Sequence, residues 1–322
     1  MTRLATLLTA SVAAGALAAA ANAQSVDPNL PSYEAASGVS GNLVSIGSDT
    51  LNNQMTLWSE GFRNFYPNVA IQIQGAGSGT APPALVEGTA QFGPMSRPMR
   101  DSEIEEFEER YGYEPIPMRG AIDAIGVFVH RDNPVTCVSM QEIDAIFSST
   151  RAGGADEAIT TWGQVGATGE WADRPIAMYG RNSASGTYGY FRSVALFGGD
   201  YSPEVREQPG SSTVIQGVAS DVNGIGYSGV GYATADVRAL EVRGDDGECY
   251  STDAAPDGSY PIARFLYIYM NVDPNAEMEP LRAEFVRYVY SQQGQEDVLR
   301  AGFFPVNQRV AEMDLAAFGL TD

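Results

Sequence analysis

The chain has 322 residues, 40 acidic and 19 basic, every basic one an arginine, for a net charge of −21. A surface this negative repels nucleic acid and anionic lipid, which excludes partners of either kind. Two cysteines and one histidine are too few for a structural zinc site, and a chain without lysine has no Walker-type phosphate loop.

Met1-Thr2-Arg3 is a minimal positive n-region, Leu4 to Ala21 an Ala-rich apolar run, and Ala21-Asn22-Ala23 a small-x-small cleavage site. The pattern predicts a signal peptide over 1–23, with the mature chain starting at Gln24. A membrane anchor is the alternative, disfavoured because Ala is only mildly apolar and charges do not flank the run on both sides. No later run is long enough to span a bilayer, so a soluble periplasmic protein without membrane insertion is expected. Cleavage also removes Arg3 and leaves the mature chain more acidic still.

About 300 mature residues suggest two domains. Residues 24–41 are small, polar and aperiodic, and read as a flexible leader. A strand follows over Asn42–Gly47, then a helix with Leu51, Met55, Trp58, Phe62 and Phe65 on one face, closed by Pro67. Val69–Gln74 alternates as a strand, and Gly75–Gly79 turns into a short helix. Ser102-x-x-Glu105 reads as a capping box, with Ile104, Phe107 and Tyr111 inward. Ala121–His130 and Tyr260–Val272 are apolar runs suited to cross between two lobes. Between them lie a helix capped by Ser139, a helix after Gly186 and a strand at Gly224–Tyr227. The Asp/Gly stretch Gly244–Gly258 lacks calcium-loop spacing and reads as a solvent loop. Leu281, Phe285, Tyr288 and Val289 mark another helix; a second follows Gly294-Gln295, and the pattern ends near Gly302–Pro305.

The alternation predicts an α/β protein of two lobes, each a mixed sheet flanked by helices, joined by two crossing strands. The boundaries expected are 42–122 plus 262–322 for the first lobe and 123–261 for the second. Cys137 and Cys249 in an exported chain are expected to form a disulfide.

Three loops place hydroxyls and amides at helix starts: Gly47-Ser48-Asp49-Thr50, Gly75-Ala76-Gly77-Ser78-Gly79-Thr80, and Arg181-Asn182-Ser183-Ala184-Ser185-Gly186-Thr187. Glycine admits close approach to a ligand, the helix end supplies N–H groups and positive dipole, and Arg181 adds a charged fork. Each loop alone is an ordinary N-cap; together they point to a tetrahedral oxyanion. Gly75–Gly79 lacks dinucleotide spacing, so no cofactor is expected. A serine hydrolase built on Ser183 or Ser185 fails on two counts: the neighbourhood is not G-x-S-x-G, and His130 lies on a crossing strand.

The chain resembles phosphate-binding proteins of the PstS type, the periplasmic component of phosphate ABC importers. The resemblance runs from about Asn42 to the end. It rests on Gly75-x-Gly-Ser, Gln91-Phe92-Gly93, Arg181-x-x-x-Ser-Gly-Thr, Gly224-Ile-Gly-Tyr and Gly302–Pro305. It implies a monomer that binds inorganic phosphate, performs no catalysis, and delivers its ligand to a membrane permease. Another tetrahedral oxyanion, or phosphate sensing without transport, is the alternative. The ligand set implied is Ser48, Asp49, Thr50, Ser78, Gly79, Ser96, Arg181, Ser185, Gly186 and Thr187. The family's Phe-Gly-x-Ser-Asp puts a carboxylate where this chain has Ser96, while its first-loop Thr is Asp49 here. Asp49 is therefore expected to replace the missing acceptor, with a plain N-cap as its alternative role. Arg97 is expected to pair with the acidic helix at Glu103–Glu109 rather than reach the ligand.

Overall fold

A computed structural model describes residues 25–321; the expected signal peptide at 1–23 lies outside them. Strand β1 (Gly41–Ile46) pairs in parallel with β2 (Val69–Gln74), and its Ser45 bridges to Phe92, the residue just before β3 (Gly93–Met95). Between β1 and β2 runs α1 (Asn52–Phe65), which buries Met55, Trp58 and Phe62, with Leu51 buried just before it. This is the face its spacing predicts, each such side chain contributing about 2–3 kcal/mol of burial. Prolines at its first turn open α2 (Ala81–Val86) after β2, and α3 (Asp101–Tyr111) follows β3.

The longest strand, β4 (Ile116–His130), belongs to both halves of the molecule. After it come β5 (Cys137–Ser139), α4 (Met140–Phe147), β6 (Ala177–Arg181), α5 (Gly186–Val194), β7 (Arg206–Gln208), α6 (Ser211–Ser220) and β8 (Gly224–Gly229). Next are β9 (Val237–Ala239), β10 (Glu241–Arg243), β11 (Cys249–Tyr250) and β12 (Ala263–Met270). The main sheet has the order β3-β12-β4-β8-β6-β7, with β9 also on β4. Residues 116–124 of β4 pair with β12, and 125–130 with β8 and β9. Helices α7 (Pro280–Val289), α8 (Gln292–Arg300) and α9 (Gln308–Ala317) close the chain.

Two large apolar cores result. One gathers α1, β2, β12 and the last three helices around Trp58, Phe285 and Tyr288; the other gathers β4, β8, α4 and α5 around Phe147, Trp162 and Tyr227. This is the two-lobed α/β arrangement. A disulfide joins Cys137 to Cys249 across a small sheet ordered β11-β10-β5.

Three expectations need correction. The 24–41 stretch is no flexible leader where it is described: Leu30 and Tyr33 are buried in the first core, and the Tyr33 hydroxyl donates to Glu284 at 2.7 Å. Its apolar residues are too sparse to show a period, yet long enough to fill a gap between helices. The box opening α3 lies two residues earlier than Ser102-x-x-Glu105: Arg100 N–H donates to Glu103 Oε2 at 2.8 Å. Lastly, the helical pattern does not end near Gly302–Pro305, because a further helix, α9, follows, capped by Asn307 accepting from Val310 N–H at 3.1 Å.

Candidate anion-binding site

The carboxyl ends of β1, β2, β3, β6 and β7 carry their following loops into one cleft. The first loop is anchored through Ser48 N–H to the Pro94 carbonyl at 2.7 Å, and the second through Gly77 N–H to the Gly47 carbonyl at 2.8 Å. Gly77 has φ +112°, and a Cβ there would stand 2.6 Å from the Ala184 carbonyl, so no other residue fits. Gly186 is similarly fixed: its Cβ would lie 2.3 Å from Ser78 Oγ and 2.8 Å from Ser96 Oγ.

Most of the expected residues converge. Ser48 Oγ donates to Ser96 Oγ at 3.0 Å, Ser96 and Ser78 hydroxyls lie 3.2 Å apart, and Thr50 and Thr187 hydroxyls 2.9 Å apart. All five are buried, as is Arg181 at 1% exposure. Arg181 Nη1 donates to Ser211 Oγ at 2.8 Å and Nη2 to the Pro209 carbonyl at 3.1 Å. Its Nε–H, also buried, has no partner among the described residues. Burial lowers the Arg181 pKa, opposed by the charge of Asp49.

Two expected ligands are already engaged. Ser185 Oγ caps α5 by accepting from Thr187 N–H at 3.1 Å, and Gly79 N–H donates to the Ala184 carbonyl at 3.1 Å. Gly79 therefore closes one loop on the other rather than offering its amide to the cleft. Arg97 turns away as expected, bonding Glu103 through both Nη atoms at 2.7 and 2.6 Å.

Asp49 is not the N-cap of α1; Leu51 is. Its carboxylate reaches across the cleft. Ser211 donates to Asp49 Oδ2 through its N–H at 2.8 Å and its hydroxyl at 2.9 Å, and Arg181 Nη2 lies 3.3 Å from the same oxygen. Among the described residues, the hydrogen bonds of the Asp49 side chain all fall on Oδ2. Tyr232 holds the loop from outside, its hydroxyl contacting the Asp49 carbonyl at 2.8 Å and the Thr50 carbonyl at 3.1 Å.

Sequence reasoning missed four residues here: Ser211, Tyr232, Asp123 and Arg264. The hydroxyl run Ser211-Ser212-Thr213 before an apolar stretch was a readable signal. So was one lone charge in each apolar crossing run, Asp123 in the first and Arg264 in the second.

Two α/β lobes sharing a long strand, with a polar cleft fed by loops from strand ends, define a two-lobed ligand-binding protein. The model of the PBP superfamily domain matches residues 32–293. The phosphate-binding protein PstS of Pseudomonas aeruginosa is 52% identical over 312 residues, covering 96% of both chains. The chain belongs to the PBP superfamily and, within it, to the family of PstS phosphate-binding proteins. Solved structures agree on the fold. A phosphate ABC transporter substrate-binding protein with bound phosphate from Clostridium perfringens superposes with TM-score 0.70 at 23% identity, over 83% of this chain and all of that one. An ABC-type phosphate transport receptor from Vibrio cholerae does so with TM-score 0.63 at 22% identity, over 82% of this chain and all of that one. Among the described residues no helix is long and apolar enough to cross a membrane, and no cluster of His, Cys, Asp and Glu forms a metal site.

Proposed function

We propose that this chain is a periplasmic monomer that binds inorganic phosphate between its lobes and presents it to the permease of an ABC importer. Lobe 1 is assigned to 42–122 plus 262–322 and lobe 2 to 123–261, a division the two large cores support except at Ile262 and Phe304, which join the second core. The observation that carries the reading is Arg181. A buried guanidinium with an unpartnered Nε–H, among buried Ser48, Thr50, Ser78, Ser96 and Thr187, supplies the donors a tetrahedral oxyanion demands. Family membership supports phosphate as that anion. Gly186 belongs to the site as the residue whose missing side chain leaves room beside Ser78 and Ser96.

Asp49 is the acceptor in this reading. With Oδ2 held by Ser211 and Arg181, Oδ1 is left to accept the proton of hydrogen phosphate. Sulfate has no proton to offer at neutral pH and would leave a carboxylate oxygen facing its own negative charge. No catalysis is assigned: His130, the one histidine, sits at the far end of β4 with Nδ1 accepting Asp132 N–H at 3.2 Å. Isothermal titration with phosphate, arsenate, sulfate and molybdate tests the assignment. Phosphate is expected to bind and sulfate to be rejected; no heat with phosphate, or equal binding of sulfate, overturns it.

A further inference from the structure

The lone charges of the two crossing strands meet. Arg264 of β12 stands directly opposite Asp123 of β4 in the strand register, and both are buried. Arg264 Nε and Nη2 donate to Asp123 Oδ2 at 3.0 and 2.7 Å. The same guanidinium reaches two loops of the anion site. Nη2 donates to Thr187 Oγ1 at 2.9 Å, and Nη1 to the Ser96 carbonyl at 2.5 Å. Asp123 Oδ1 accepts Val230 N–H at 3.2 Å just beyond β8. The guanidinium also lies 5.6 Å from the Tyr190 ring, whose hydroxyl donates to the Ala263 carbonyl at 2.5 Å.

A buried ion pair is a poor source of bare stability, because desolvating both charges offsets most of their attraction. What a planar guanidinium offers over an apolar pair is several directed bonds at fixed angles. Here those bonds tie the crossing strands to one anion-site residue after β3 and another at the start of α5.

We propose that Asp123 and Arg264 are a positioning pair that couples filling of the anion site to closure of the lobes. The proposal rests on the anion-binding reading of the cleft. Ser96 and Thr187 belong to opposite lobes as assigned, so opening separates them and Arg264 keeps at most one. Closure restores the full set of bonds, and an anion held between Ser96 and Thr187 favours the same movement.

The test compares the wild-type mature protein with Arg264→Lys and Asp123→Asn. Lysine keeps the charge facing Asp123 but cannot fork to Ser96 and Thr187 together. Hydrogen exchange without added phosphate is expected to quicken in both variants over 94–99 and 185–190 while 308–317 stays unchanged. With inorganic phosphate, Kd in Arg264→Lys is expected to rise about tenfold, and the compaction seen by small-angle scattering at saturation to shrink. Wild-type exchange and compaction in Arg264→Lys overturn the proposal. So does faster exchange confined to 262–266, which is what local packing alone would give. If wild-type protein fails to bind phosphate, the phosphate reading fails separately, and the phosphate-free exchange result still decides the coupling.

Discussion

The acceptor role proposed for Asp49 rests on how its carboxylate is held. Its Oδ2 is bound by an amide, a hydroxyl and a guanidinium, the donor types that bind an oxyanion. In the proposed site that leaves Arg181 partly neutralised before any anion arrives, which assigns much of the binding to neutral hydroxyls. Asp49→Asn removes the charge while keeping the shape. Phosphate affinity is expected to fall about tenfold or more, with sulfate rejection relaxed, because the amide can donate where the carboxylate could only accept. Parallel titrations with the two anions read this; unchanged affinities for both would return Asp49 to a purely structural part.

At the level of elements, the start of α3 is tied by Glu103 to Arg97, in the segment that follows β3. Burial pushes the Glu103 carboxyl up, but hydrogen bonds from Arg97 and Arg100 N–H, with the charges of both arginines, hold its pKa below the ordinary 4.5. A carboxylate depressed in the folded state stabilises the fold above its unfolded pKa and loses that contribution as pH falls through the folded one. Glu103→Gln should therefore cost about 1–2 kcal/mol at pH 7, and the gap to wild type should close as pH drops below 4.5. Urea unfolding across that range checks it. Short elements such as α4 were readable in advance, since Ser139 accepts from Glu142 N–H at 3.2 Å within its own turn. Helix α9 was not, because its face is mostly short or polar and only Ala311 and Asp314 are buried.

For the whole molecule, stability is distributed between two cores that meet along β4 and β12, and the disulfide reinforces one side of this division. Cys137 and Cys249 are 112 residues apart, both at the edges of the small sheet beside α4. Replacing both by Ser is expected to cost about 2–4 kcal/mol, read as a lower urea midpoint. Phosphate affinity should be nearly unchanged, since no site loop lies within that sheet. A large loss of affinity would mean that the lobe responds as one rigid body.

By itself the sequence determined what is encoded within a turn or two: the helix faces, the glycine-marked strand ends, the hydroxyl loops that follow them, and Arg181 among those loops. It also pointed to the class of ligand, through three hydroxyl loops with one arginine among them and the family resemblance those loops carry. Only the tertiary structure decided which charges meet. Asp49 finds Ser211 across 162 residues of chain, and Asp123 finds Arg264 across 141. Neither partner lies on the same helix or hairpin, so no local period or cap could announce it. Such pairs are fixed by strand order and by the crossing of the lobes, through the packing of two cores rather than through any neighbour in sequence.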